Sequence, residues 1–127
     1  MHKRCGGATA ERHNVRVILN PAPIRRISDE TAKAVYAVTP NEHESQAIDI
    51  ERFKNSIVTL GCDGCMINGM TKLPPLKVKP IDTTGAGDTL NGVFAVCIYS
   101  CVCAACALTA VDKMSIAAKL ANTVRFI

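Results

Sequence analysis

The stretch Ile81-Asp82-Thr83-Thr84-Gly85-Ala86-Gly87-Asp88-Thr89-Leu90-Asn91-Gly92 decides how the rest of the chain is read. Two glycines flank an alanine, so the backbone can turn tightly and a ligand can approach it closely. An uncharged, helix-compatible run begins near Gly87. Successive backbone N–H groups at a helix start form a cradle for an anion, with the helix dipole behind it. Asp88 falls in the first turn, beside that cradle. A carboxylate next to an anion hole suits phosphoryl transfer. The hole takes charge on the moving phosphoryl group, and the carboxylate accepts the proton of the attacking hydroxyl. The same residues also allow a plainer reading, a glycine-rich helix entry with Asp88 as a solvated first-turn acid.

Upstream, short apolar runs alternate with helix starts. Val15-Arg16-Val17-Ile18-Leu19-Asn20 is β-branched and reads as a strand, ended by Pro21-Ala22-Pro23. Ser28 caps a helix with Asp29 and Glu30 in its first turn, running through residues 31–35. Tyr36-Ala37-Val38-Thr39 is a second strand, stopped by Pro40. Asn41 caps the next helix, which Glu42 and Glu44 favour, and residues 48–54 continue helical character. Ser56-Ile57-Val58-Thr59-Leu60-Gly61 is the clearest strand. Asp63-Gly64 marks a turn, Cys65-Met66-Ile67 a strand, and Asn68-Gly69 a hairpin turn. The returning strand runs from Thr71 toward Leu76-Lys77-Val78, and Pro74-Pro75 inside it places it at an edge. At the far end Ile116, Ala117, Leu120, Ala121, Val124 and Ile127 line one helix face.

This order predicts an α/β fold: a partial parallel sheet with flanking helices and an edge hairpin. Residues 1–14 read as a polar leader and 15–127 as a single partial domain. Ligands of such sheets bind at the carboxyl ends of the strands. Asn20, Thr39-Pro40-Asn41, Thr59-Leu60-Gly61 and the Gly85 loop all lie where strand gives way to loop, which predicts that they share one rim.

Composition narrows the function classes. The 127 residues suffice for one domain with a buried core, and 48% hydrophobic with 20% charged residues excludes a disordered chain. The net charge of +4 is modest and aromatics make up 4% with no Trp, which argues against nucleic-acid binding. Seven cysteines are an odd number, and Met1-His2-Lys3-Arg4-Cys5-Gly6-Gly7 has no apolar signal core. These point away from a disulfide framework and toward a reducing, cytoplasmic setting. Residues 93–111 carry no charge, long enough for a membrane span. Their small residues suit a buried helix, a turn and a second helix better.

Several motifs, in order, resemble the ribokinase (PfkB) family of carbohydrate kinases. Asp82-Thr83-Thr84-Gly85-Ala86-Gly87-Asp88 with Thr89, Asn91 and Gly92 is similar to its signature. Asn20-Pro21-Ala22-Pro23, Thr39-Pro40-Asn41-Glu42-His43-Glu44, Thr59-Leu60-Gly61-Cys62-Asp63-Gly64 and Ala117-Ala118-Lys119-Leu120-Ala121-Asn122 resemble further family segments. The resemblance implies a ribokinase-like fold and transfer of the ATP γ-phosphoryl group to a sugar hydroxyl, a pentose such as ribose. It implies Asp88 as catalytic base contacting the sugar, and Gly85, Ala86 and Gly87 as anion hole. Asn41 would approach the ATP phosphates and Glu44 would hold Mg²⁺ through water. Thr59, Leu60, Gly61, Cys62, Asp63, Gly64 and Gly87 would line the nucleotide site, with Asn122 near the adenine. Asp82 and Thr84 resemble residues that bind a monovalent cation such as K⁺.

The chain also departs from the family. Its members are more than twice as long, and the sugar-binding glycine motif and the lid are absent. Only a short piece lies between Glu44 and Ile57, so a helical segment usual there is lost, and Cys101-Val102-Cys103-Ala104-Ala105-Cys106 replaces a normally polar loop. Two other functions therefore stay open. One is a non-catalytic remnant that folds against a complementing chain or a second copy, because half an α/β sheet leaves an exposed edge. The other is a Cys-rich metal-binding module built on Cys62-x-x-Cys65 with Cys97, Cys101, Cys103 and Cys106.

Overall fold

β-branched runs alternating with capped polar runs produce the observed order. It is β1 (Ile18–Leu19), α1 (Asp29–Ala34), β2 (Ala37–Val38), α2 (Glu42–Ala47), a 3-10 turn (Ile50–Arg52) and β3 (Ile57–Thr59). A second 3-10 turn (Gly61–Asp63), β4 (Cys65–Ile67), β5 (Thr71–Leu73) and α3 (Ala86–Ser100) follow. The computed structural model describes residues 10, 12–75 and 84–100. The chain divides into two compact units, Met1–Thr59 and Leu60–Ile127.

In the first unit β1 and β2 pair in parallel, with Ile18 opposite Ala37 and Leu19 opposite Val38. Parallel bridges Val38–Ser56 and Asn41–Thr59 carry the arrangement on to β3. A parallel pair needs a crossover between its strands, and α1 supplies it. The Ser28 hydroxyl accepts from the Thr31 N–H at 3.2 Å, satisfying one orphan donor of α1. Asp29 and Glu30 in its first turn and Lys33 in its last complement the helix dipole. Ala32, Val35, Val38 and Phe53 form the buried cluster, with Val17, Leu19, Ile27 and Ile48 packed against it. Ala37, Val38, Ile57 and Val58 are all buried, as expected of parallel strands covered on both faces.

Two expected elements are shorter than their sequence patterns. The strand read over residues 15–20 pairs only at Ile18–Leu19. Val15 is exposed, and Arg16 places its guanidinium 5.0 Å from the Tyr36 ring centroid. Residues 48–54 form only the Ile50–Arg52 turn rather than more helix. Ile48 and Phe53 both join the core cluster. Five residues apart on an α-helix they would diverge by about 140°. Extended backbone at Ile48 (φ −122°, ψ 144°) resolves this. Arg52 then reaches back, 2.6 Å from the Asp29 carboxylate and 3.0 Å from the Ile27 carbonyl.

In the second unit β4 and β5 form an antiparallel hairpin, Cys65 opposite Leu73 and Ile67 opposite Thr71. The turn is the expected one. Asn68 (φ 49°) and Gly69 (φ 66°) both take the left-handed conformation that these residue types tolerate. Cys65 and Ile67 are buried while Met66 is half-buried, the alternation of a strand with one covered face. β5 ends at Leu73, before Pro74-Pro75, and the expected continuation toward Val78 lies outside the described residues. Helix α3 buries Leu90, Phe94, Cys97 and Ile98, one stripe at helical spacing, and exposes Val96. Among the described residues no helix is long and apolar enough to cross a membrane. The uncharged residues beyond Ser100 and the helix read at the far end lie outside them.

Candidate functional site

The GAGD segment becomes the start of α3. Gly85 has φ +71°, a conformation that glycine adopts without strain. Its carbonyl accepts from the Thr89 N–H at 2.9 Å and from the Thr89 hydroxyl at 3.0 Å, closing the first helical turn. The amides of Ala86, Gly87 and Asp88 precede the first intrahelical acceptor. A Cβ placed on Gly85 or Gly87 would meet nothing within 4 Å, so the Cβ side of both glycines is open. Asp88 stands exposed in the same turn, and Thr84 is exposed just before it.

In the first unit Asn41 and Glu44 hold one another at the start of α2. The Asn41 N–H donates to Glu44 Oε2 at 2.8 Å, and the Glu44 N–H donates to Asn41 Oδ1 at 2.8 Å. This reciprocal box satisfies two orphan donors at once. It also turns the Asn41 amide so that its oxygen faces the helix and its NH₂ group points away from that bond, on an exposed residue. Glu44 is buried, with one carboxylate oxygen committed to the box. The Asn41–Thr59 bridge sets Thr59 beside this pair, and the Thr59 N–H donates to the Pro40 carbonyl at 3.0 Å.

Leu60 to Gly64 form a closed turn in the second unit. The Asp63 N–H donates to the Leu60 carbonyl (3.0 Å) and the Leu60 N–H to the Gly64 carbonyl (2.9 Å). Gly61 has φ +57° with open space on its Cβ side, whereas Gly64 has φ +89° and is crowded. Cys62 is exposed and Cys65 buried. Burial pushes the Cys65 thiol pKa up from 9.0. Among the described residues no three His, Cys, Asp or Glu side chains come together as a metal set.

Three groupings of the expected site residues result. Asn41, Glu44 and Thr59 sit together in the first unit. Leu60, Gly61, Cys62, Asp63 and Gly64 share one turn, and Gly85, Ala86, Gly87 and Asp88 share one helix start, both in the second unit. Asp82 and Asn122 lie outside the described residues, as do Cys101, Cys103 and Cys106. Asn41 caps α2 as expected, and the structure adds the reciprocal bond from the Glu44 side chain, which the Asn-x-x-Glu spacing announces.

Residues 6–124 match the sequence model of the pfkB family carbohydrate kinases. The chain belongs to that family. A ribokinase of Lactococcus lactis is 40% identical in a 93-residue alignment that covers 64% of this chain and 31% of that protein. This pfkB family chain thus spans about a third of the length of the curated relatives it matches. Among solved structures, a ribokinase from Thermotoga maritima is 30% identical with a TM-score of 0.71, over 92% of this chain and 44% of that one. A ribokinase from Arabidopsis thaliana, solved with ribose and ATP, shares the fold with a TM-score of 0.65 at 23% identity, over 91% of this chain and 43% of that one. The ribokinase-like α/β fold expected from the motifs is therefore the fold of this chain.

Proposed function

We propose that this chain carries the nucleotide and phosphoryl-transfer part of an ATP-dependent sugar kinase acting on a ribose-type pentose. The observation that carries the reading is the start of α3, where Gly85 turns with φ +71°, the first-turn amides at residues 86–88 adjoin an exposed Asp88, and the Cβ sides of Gly85 and Gly87 are open. Family membership and the ribose and ATP bound to the Arabidopsis relative support the substrates. Asp88 takes the proton from the sugar hydroxyl as its oxygen forms a bond to the γ-phosphorus, and the β–γ bridging oxygen departs with ADP. Amides of the Gly85-Ala86-Gly87 segment and the helix dipole stabilise charge on the phosphoryl oxygens.

Asn41 is assigned to the nucleotide phosphates through its NH₂ group, Thr59 and the Leu60–Gly64 turn to the nucleotide, and Asn122 to its adenine. Glu44 keeps one carboxylate oxygen outside its capping bond, which fits a hydrated Mg²⁺ that needs few protein ligands. When bound, that ion neutralises charge on the phosphates. Asp82 and Thr84 are assigned to a monovalent cation such as K⁺ beside the anion hole. A cytoplasmic setting belongs to the same reading.

Two measurements test this. Millimolar Mg-ATP should raise the melting temperature of the purified chain, and an unchanged melting temperature ends the nucleotide reading. Asp88→Asn should keep Mg-ATP binding but lower sugar-dependent ADP release by roughly 10²–10⁴-fold. Equal release from both proteins ends the catalytic assignment.

A further inference from the structure

The two glycines of the Leu60–Gly64 turn differ in what surrounds them. A Cβ on Gly61 would meet nothing within 4 Å. A Cβ on Gly64 would collide with the Leu73 carbonyl oxygen and lie 2.9 Å from Pro75 N and 3.0 Å from the Pro74 carbonyl carbon. Gly64 also adopts φ 89°, ψ −129°, a region reserved almost entirely for glycine. Its polar groups are spent inside the turn, the carbonyl on the Leu60 N–H at 2.9 Å and the N–H on the Gly61 carbonyl at 3.4 Å. The facing backbone cannot retreat easily, because two consecutive prolines restrict it.

We infer that Gly64 is a positioning residue that locks the Leu60–Gly64 turn to the backbone leaving β5, so that Gly61 and Cys62 present one fixed surface to a nucleotide. The inference rests on the nucleotide reading above for its ligand, but the lock itself stands on geometry. It divides the roles of the two glycines: Gly61 leaves room for close approach of a ligand, and Gly64 leaves room for the protein's own backbone. Because Leu73 to Pro75 open the segment that leads on to the α3 start, the same contact anchors the beginning of that connection.

The test compares Gly64→Ala, Gly61→Ala and Pro75→Gly in the whole chain. Backbone amide exchange at Leu60 and Asp63 reads the lock, and fluorescence titration with Mg-TNP-ATP reads nucleotide affinity. Gly64→Ala should speed exchange of both amides about tenfold or more while leaving α1 amides within about twofold. It should also raise the Mg-TNP-ATP dissociation constant about tenfold. Gly61→Ala brings no collision and only the backbone strain of its φ +57°, so it should speed exchange of the two amides less than Gly64→Ala does. Pro75→Gly, which loosens the facing backbone without a collision, should shift both readouts the same way as Gly64→Ala, and it decides the matter if Gly64→Ala does not fold. Unchanged exchange in Gly64→Ala, or in Pro75→Gly as its substitute, overturns the lock. Faster exchange with unchanged nucleotide affinity overturns the positioning role. If the parent chain binds no Mg-TNP-ATP, the kinase reading fails separately, the positioning role fails with it, and exchange alone decides the lock.

Discussion

Glu44 shows how one side chain can serve structure and chemistry together. Its carboxylate closes the capping box on the Asn41 N–H, and its own N–H orients the Asn41 amide. The two contributions separate by substitution. Glu44→Gln keeps an acceptor of nearly the same reach, so the box survives and thermal stability should change little. Glu44→Ala removes the acceptor and should cost about 1 kcal/mol, read from urea unfolding. If the charge of Glu44 serves a hydrated metal ion, both variants should need more Mg²⁺ for ATP binding. A Glu44→Gln protein with the parent's Mg²⁺ dependence would leave Glu44 with the capping role alone. At this scale the residue types and spacings were legible beforehand. The direction in which Asn41 turns its NH₂ group was not, because an amide is symmetric in sequence and its orientation is set by the partner that folding supplies.

Among the elements, α1 and α2 are six residues each, far below the length at which an isolated helix is stable in water. They persist through caps and through burial against the strands. Buried Asn55 joins two of those strands: its Nδ2 donates to the Tyr36 carbonyl at 2.7 Å, and its carbonyl accepts from the Val38 N–H at 3.0 Å. Asn55→Ala strands the Tyr36 carbonyl and should destabilise the chain by about 1–3 kcal/mol, measured by denaturant unfolding. Serine and asparagine caps, the Asn68-Gly69 turn and the Gly85 helix entry were all readable from neighbours in sequence. The fate of residues 48–54 was not. Their helical character is local, but the need for Ile48 and Phe53 to reach the same cluster is a long-range demand, and burial outweighed propensity.

For the molecule as a whole, Cys65 supplies a pH dependence. Burial raises its pKa above the ordinary value of 9.0, so between that value and the folded-state value the folded chain keeps a proton that the unfolded chain releases. Stability should therefore fall as pH rises past about 9. Cys65→Ala should flatten that part of the profile in thermal melts recorded across pH 8–10. A slope unchanged by the substitution would assign the loss to other groups. At neutral pH a thiol reagent should modify exposed Cys62 before Cys65.

Sequence alone determined the local vocabulary of this protein: where helices start, where chains reverse, and which ordered motifs place it among the pfkB family carbohydrate kinases. These are properties of neighbouring residues and need no distant partner. Only tertiary structure decided that Gly64 makes room for the backbone at Leu73 while Gly61 faces open space, and that strands read as six residues pair over two or three. Each depends on atoms brought together from separate turns or strands, and backbone packing and hydrogen-bond geometry exist only once the chain has folded.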